Sequence, residues 1–462
     1  MTLNRSLRRV CHSAPAIFVP LSLGLGLFST ARPRSDPRVF PSQGFDVVDS
    51  KQVVEEEGIP EYDAHHFYPV FLGEIFHGRY QTVSKLGYGS SSTIWLARDL
   101  QYVVVSLKMY IHSCLQHREL PFYEHLDTIL PSAHVGAGNV RKLLDSFEVV
   151  GPHGTHMALV LQASQMSLRD MDTVFMKGHG FEEEFAKGAI NELLEAAIIH
   201  SPLLSQQHLL NKNPIDIHPG NLLLGIDDDS HFKGMEDAEF SSPAPRKEVA
   251  GRTIYFSRLM RPKVGPLLLS DFGEARLGPG PHAGDIMPIM YRAPETLLHM
   301  QWSYPVEQHH NFSKAIPGAE QIQAWDLLEG KTMFSARKDD GSFSDGVHFS
   351  ELIAALGPPP PGLLSRHRER ALEYWDQDGC TDLCLGFVGN WGGFVPIPTA
   401  KTLEAAETKL TDKTHFLQFI RRALTWDPSK RPTARELLQD PVTVKISQDE
   451  PHALKCISLH EI

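Results

Sequence analysis

Five short stretches of this 462-residue chain carry residues able to handle a phosphate group. Leu86-Gly87-Tyr88-Gly89-Ser90-Ser91-Ser92-Thr93-Ile94-Trp95 is a glycine-rich turn between two strand-like runs. Glycines there let backbone N–H groups approach an anion without a side chain in the way. Val105-Ser106-Leu107-Lys108 ends an apolar run on a lysine 21 residues after Gly87. A lysine leaving a buried strand needs an anionic partner; a phosphate and Glu119, in the next helical segment, would supply it. Asp216-Ile217-His218-Pro219-Gly220-Asn221 sets a carboxylate and an amide five residues apart on a tight turn. The carboxylate can take a hydroxyl's proton, and the amide oxygen can ligate Mg²⁺. Leu267-Leu268-Leu269-Ser270-Asp271-Phe272-Gly273 delivers a second Mg²⁺ ligand, Asp271, from an apolar strand. Tyr291-Arg292-Ala293-Pro294-Glu295 follows, with Glu295 24 residues beyond Asp271. Arg431, in Trp426-Asp427-Pro428-Ser429-Lys430-Arg431-Pro432-Thr433, is a partner for Glu295 that would brace a substrate floor.

Each stretch has a plain structural explanation: a tight hairpin, a snorkelling lysine, an Asp/Gly turn, a strand end. Their order does not. Glycine-rich loop, Lys, Glu, Asp-x4-Asn, Asp-Phe-Gly and Ala-Pro-Glu, in that sequence and with workable spacings, form the protein-kinase signature set.

The elements that must position these residues are legible as a change of period. Strand-type runs cover Tyr80–Leu86, Ser92–Ala97, Tyr102–Tyr110 and Met157–Leu161, interrupted by one helical segment around His117–Leu130. From Ser164 onward apolar residues recur at three and four, as in Glu182–His200 and Thr414–Leu424. The expected fold class is therefore α+β, with a small, mainly antiparallel β lobe carrying one helix and a larger, mainly helical lobe. Expected boundaries are 1–36 for a leader, 37–79 for an extension and 80–163 for the first lobe. The second lobe covers 164–445, with an insert at about 226–266 and an irregular segment at 307–323, and a tail covers 446–462. The extension is aromatic (Tyr62, Phe67, Tyr68, Phe71) and should dock on the first lobe. The insert is polar, charged and Pro-containing, and longer than most loops.

Composition narrows the partners. A net charge of −12 disfavours a general nucleic-acid binder and suits a basic protein partner. Five scattered cysteines form neither a disulfide framework nor a zinc pattern. Residues 1–35 carry five arginines, several serines and no acid, the composition of a mitochondrial transit peptide. Their apolar run is too short and too Gly/Pro-broken to span a bilayer, and no other stretch is apolar enough.

Over roughly Pro60 to Pro441 the chain resembles the serine/arginine-protein kinase family, its fungal members above all. The cues are the Leu86–Leu100 run with Ser92 in place of a third glycine, and Asp216-Ile217-His218-Pro219-Gly220-Asn221. Trp325-Asp326-Leu327-Leu328-Glu329-Gly330-Lys331 and Leu356-Gly357-Pro358-Pro359-Pro360 add to them. The resemblance implies a two-lobed protein-kinase fold, ATP with Mg²⁺ in the cleft, Arg/Ser-rich protein substrates, and a place in cytoplasm or nucleus; a monomer is the favoured state. It implies that Lys108 binds the α/β-phosphates, Glu119 holds Lys108, Asp216 is the catalytic base, and Asn221 and Asp271 are metal ligands. Leu86, Gly87, Gly89, Ser92 and Ile94 would cover the nucleotide, and the backbone of Gln162 and Ser164 would meet the adenine.

Three departures keep a second function class open, a kinase-fold binding module without turnover. Pro214 stands where a histidine is usual two residues before Asp216, residues 200–213 are irregular, and Glu307 replaces an aspartate that heads a buried helix. Between Gly273 and Tyr291 there is no Ser, Thr or Tyr, and Ile215 replaces the arginine that would receive a phosphate. An active enzyme would then need no activation-loop phosphorylation.

Overall fold

The computed structural model describes residues 35–101, 104–112, 118–129, 135–199, 217–226, 230–275, 284–285, 287–300, 324–376, 390–392, 395–410 and 413–444. Strands form where β-branched and aromatic residues cluster. β1 (Ile75–Phe76), β2 (Tyr80–Gly89), β3 (Ser92–Asp99), β4 (Val104–Tyr110), β5 (Leu143–Val150) and β6 (Thr155–Gln162) build one antiparallel sheet, ordered β1-β2-β3-β4-β6-β5. α1 (Glu119–Ile129) connects β4 to β5. β5 has no counterpart among the expected strands. It lies at the sheet's edge with no fully buried residue, so its sequence carries little apolar periodicity.

Beyond the sheet the chain is mainly helical. α2 (Glu183–Ile199) places Phe185, Ala189, Ile190 and Leu193 in a large core shared with Trp325, Phe416, Phe419 and Leu437. The same core takes Leu159 and Leu161 from β6 and Phe122 and Tyr123 from α1, so sheet and helices pack as one body of side chains. Three leucines, Leu222–Leu224, form β7 and pair with Leu267–Leu269 of a later strand. No helix among the described residues is long and apolar enough to cross a membrane.

The polar stretch between those two strands is a folded unit, not a loop. It contains α3 (Ser230–Ser241) and a hairpin of β8 (Arg246–Val249) and β9 (Arg252–Tyr255), before β10 (Leu267–Leu269). Ala250 and Gly251 adopt φ of +50° and +76°, the left-handed backbone that a two-residue hairpin turn requires. The unit returns to the first sheet: Phe232, Met235 and Met260 pack with Val83 and Leu96, and Tyr255 packs with Trp95 and Leu107.

With the N-terminal extension, this unit covers the sheet face that would otherwise meet water. Every residue from Tyr80 to Lys85 is buried, including the polar members of the alternation. Three of the four find partners there, and Ser84 donates to the Lys85 carbonyl within the strand, as buried polar groups must be paired. Gln81 accepts from the Arg38 N–H at 2.8 Å and donates to the Arg38 carbonyl at 2.7 Å. Thr82 donates to the Phe71 carbonyl at 2.5 Å, and Lys85 pairs with Glu56 and donates to the Tyr255 carbonyl at 3.1 Å.

Later elements complete the helical part. The short helix Pro294–Leu297 begins at the Ala-Pro-Glu motif, followed by α4 (Asp345–Leu356) and α5 (Thr414–Ala423). Ser344 caps α4 by accepting from the Val347 N–H.

Candidate active site

A cleft of about 470 Å³ opens between the sheet and the helical part, within the size range of nucleotide and cofactor sites. Its roof comes from β2 and β3: Leu86, Gly87, Gly89, Ser92 and Ile94 all line it. A Cβ added at Gly87 or Gly89 would meet nothing within 4 Å, so the loop leaves open space beside its backbone. Strand β4 carries Lys108 into the cleft, and α1 begins at Glu119. Lys108 Nζ donates to Glu119 at 2.7 Å and to Asp271 at 2.9 Å. One cation thus ties β4, α1 and the end of β10 together.

The opposite wall is built by the two leucine strands. β7 follows the 3-10 turn Pro219–Asn221, and β10 runs into Asp271, so Asn221 and Asp271 both reach the cleft. The Ser270 N–H donates to the Asn221 carbonyl at 2.9 Å and locks the two strand ends together. Asp271 has φ of +58°. A non-glycine residue in that region is strained, and such strain collects where surrounding contacts hold a functional side chain in place. Here Phe272 supplies the contacts, packed against Phe122 at 4.8 Å and Tyr123 at 5.1 Å between ring centroids.

Charge decides the protonation states. Burial acts to lower the pKa of Lys108, but the carboxylates of Asp271 and Glu119 outweigh it and hold the ammonium well above its usual range. The reciprocal effect keeps Asp271 below the ordinary aspartate value despite the desolvation that opposes it. Asp271 is therefore an anion at neutral pH, with its side chain about half exposed to the cleft. An anionic carboxylate, an amide oxygen and a fixed ammonium beside a glycine-rich turn are a donor set that fits a divalent cation bound to a polyphosphate.

Not every expected residue joins this group. Asp216 lies outside the described residues, as do Pro214, Ile215 and Glu307. Ser164 lines the cleft, but Gln162 does not. The Gln162 N–H donates to the Lys142 carbonyl at 2.8 Å, and its own carbonyl accepts from Arg141 Nε at 2.8 Å. Both groups are bonded within the protein, and the Gln162 carbonyl keeps a second lone pair. Glu295 and Arg431 meet away from the cleft in a buried two-pronged pair, both N–O distances 2.6 Å.

Several lining residues escape the motif reading. His218 shares the cleft; its Nδ1 accepts from the Gly220 N–H at 3.0 Å, and its ring stacks on Tyr291. Burial, and then the charge of Arg169, push its pKa down to about 4, so the ring is neutral at pH 7. Arg258, Leu259 and Met260 arrive from the folded unit after β9. Arg141 arrives from the residues just before β5. His218 was visible inside its motif, whereas nothing local marks the other four.

Comparison with known proteins agrees with this geometry. No family model matches the chain. A serine/threonine protein kinase of Aspergillus fumigatus is 37% identical over 415 residues, 88% of this chain and 95% of that protein. The chain belongs to the serine/threonine protein kinase family. More distant relatives include serine/threonine-protein kinase SRPK of Physarum polycephalum, 26% identical over 84% of this chain and 91% of that protein. Protein kinase dsk1 of Schizosaccharomyces pombe is 32% identical over 216 residues, 42% of this chain and 37% of its own. A kinase-domain crystal structure superposes with a TM-score of 0.58 at 18% identity, covering 82% of this chain and all of that one. The sheet-plus-helices architecture is thus the protein-kinase fold.

Proposed function

We propose that the chain transfers the γ-phosphate of ATP, held with Mg²⁺ in this cleft, to serine or threonine hydroxyls of protein substrates. The observation that carries the reading is Lys108, bonded at once to Glu119 and Asp271 beneath a glycine-rich turn. Mg²⁺–ATP supplies the transferable phosphoryl group and much of the neutralising charge. The chain's own residues then have separate tasks. Lys108 holds phosphate oxygens, and Glu119 fixes Lys108 so that little rearrangement is needed. Asn221 and Asp271 hold the metal, and Ser92, Gly87 and Gly89 leave room for backbone donors over the phosphates. Leu86 and Ile94 pack on the base, and the backbone of Ser164 borders it. Asp216 orients the substrate hydroxyl and accepts its proton. Positioning and electrostatics carry most of such a reaction. Serines in Arg-rich segments are the proposed acceptors, in keeping with the acidic net charge and the SRPK-named relative.

The test uses the full chain with Mg²⁺–ATP and an Arg–Ser repeat peptide. Phosphopeptide should form, and Asp216→Ala or Lys108→Met should reduce the rate at least about a hundredfold. A thermal shift with Mg²⁺–ATP but no phosphopeptide from any Ser/Thr peptide would replace this reading with that of a binding module.

A further inference from the structure

Glu55 belongs to the N-terminal extension, yet its carboxylate grips two segments that run into the cleft. It opens the 3-10 turn Glu55–Gly58 with φ of +54°. That left-handed backbone is strained for a residue with a Cβ, and such strain persists where surrounding contacts hold a functional side chain in place. The contacts here are made by the side chain itself. One carboxylate oxygen accepts from the Ser257 N–H at 3.0 Å, and the other accepts from the Ser257 hydroxyl at 2.6 Å, 202 residues along the chain. The second oxygen also lies 3.2 Å from Lys85 Nζ. With the Glu55 side chain only 11% exposed, these are charge-assisted bonds largely shielded from water.

Both partners lead directly to the cleft. Lys85 precedes Leu86 and Gly87 in β2, which form its roof, and Ser257 precedes Arg258, Leu259 and Met260 of its wall. Roof and wall already touch, since the Arg258 N–H donates to the Lys85 carbonyl at 2.8 Å. A single backbone bond sets a distance but leaves the angle between two segments loose. The Glu55 carboxylate, with two bonds to one segment and an ion pair to the other, supplies the missing constraint. Neutralising Lys85 is not its task. Glu56 pairs with the same ammonium, and also with Arg252 of β9 at 3.4 Å.

We infer that Glu55 is a positioning residue for the nucleotide: it holds the β2 roof and the Arg258-Leu259-Met260 wall at the spacing that grips Mg²⁺–ATP, which makes the N-terminal extension a part of the nucleotide site. This rests on the reading of the cleft as an ATP site and adds a residue that never touches the ligand.

The experiment is titration calorimetry of Mg²⁺–ATP against the full chain, unmodified and with Glu55→Gly, Glu55→Gln or Ser257→Ala, beside melting temperatures of the same proteins. Glu55→Gly removes the carboxylate while suiting the left-handed backbone, so lost bonds are separated from backbone strain. It should weaken Mg²⁺–ATP binding about tenfold, as expected when the support behind a binding wall is released. Glu55→Gln can keep both bonds to Ser257, its oxygen facing the N–H and its amide facing the hydroxyl, and should stay within about threefold of the unmodified chain. Ser257→Ala loses one bond and should fall between the two. A purely structural role predicts a lower melting temperature with unchanged Mg²⁺–ATP affinity in Glu55→Gly. That result overturns the inference and leaves the phosphotransfer reading intact, as does a Glu55→Gln variant that binds as weakly as Glu55→Gly. Should Glu55→Gly fail to fold, a Ser257→Ala variant with the affinity of the unmodified chain overturns it instead. Absence of Mg²⁺–ATP binding by the unmodified chain overturns both readings.

Discussion

Asp326 is buried in a helical segment, accepting from the Tyr291 hydroxyl at 2.6 Å and the Met333 N–H at 3.1 Å. Burial outweighs those two bonds and pushes its pKa up to about 7. The sign follows from linkage. Below the ordinary aspartate range both folded and unfolded chains keep the proton, and the site costs nothing. As pH rises toward 7 the unfolded chain ionises first, so stability is lost across that window. Asp326→Asn can keep both bonds, with its oxygen facing Met333 and its amide donating to Tyr291, and it cannot ionise. The gain in melting temperature over the unmodified chain should therefore be larger at pH 8 than at pH 4. An equal difference at both values would show that Asp326 does not titrate in this way. His348 acts in the opposite sense: burial outweighs its contact with the Arg292 carbonyl and presses its pKa down to about 4. Its stabilising contribution is present above the ordinary imidazole range and is lost as pH falls from 6.5 to about 4.

At the scale of elements, the unit between β7 and β10 is the least expected part of the fold. Tyr255 is nearly fully buried against Trp95, with rings edge-to-face at 5.7 Å, and Phe232 is buried against the face of β2 and β3. Truncating a buried aromatic costs about 3–5 kcal/mol. Tyr255→Ala should show a loss of that size in urea unfolding, even though the residue lies far along the chain from the sheet it covers. A loss below about 1 kcal/mol would mean the unit is only appended to the domain. Because Arg258, Leu259 and Met260 continue from β9 into the cleft, the same variant should also weaken nucleotide binding, read by calorimetry.

Across the whole molecule, two features lead to predictions on rigidity and regulation. Glu295 and Arg431, 136 residues apart, are both buried; their side chains form a matched pair, and Arg431 Nε also donates to the Thr425 carbonyl. Arg431→Met leaves an uncompensated carboxylate and should cost about 3–5 kcal/mol, while adding Glu295→Leu should recover much of it. Chemical unfolding of the two variants measures this, and a double variant no better than the single would count against the pairing. The second feature is the stretch after Asp271. Its acids are held by arginines, Glu274 by Arg118 at 3.3 Å and Asp285 by Arg292 at 2.9 Å, and no Ser, Thr or Tyr stands between Gly273 and Tyr291. Phosphatase treatment should leave peptide phosphorylation unchanged; a loss of activity traced to this segment would contradict a phosphate-independent enzyme.

What the residues specified without any structure was the order of the phosphate-handling motifs, the change from period two to period helix, and the family. Those signals are local: a glycine turn, a strand ending in lysine, an Asp-Phe-Gly turn each report on a few neighbouring residues. Tertiary structure alone decided the rest. Gln81, Thr82, Ser84 and Lys85 are polar residues of a strand, yet they are buried; Gln81 meets Arg38, 43 residues before it, and Lys85 meets Tyr255, 170 residues after it. Arg141 reads as one more charged residue before an edge strand, yet it lines the cleft, bonded to the Gln162 carbonyl and to Ser270. Desolvation depends on what arrives from elsewhere in the chain, and a sequence window cannot contain it.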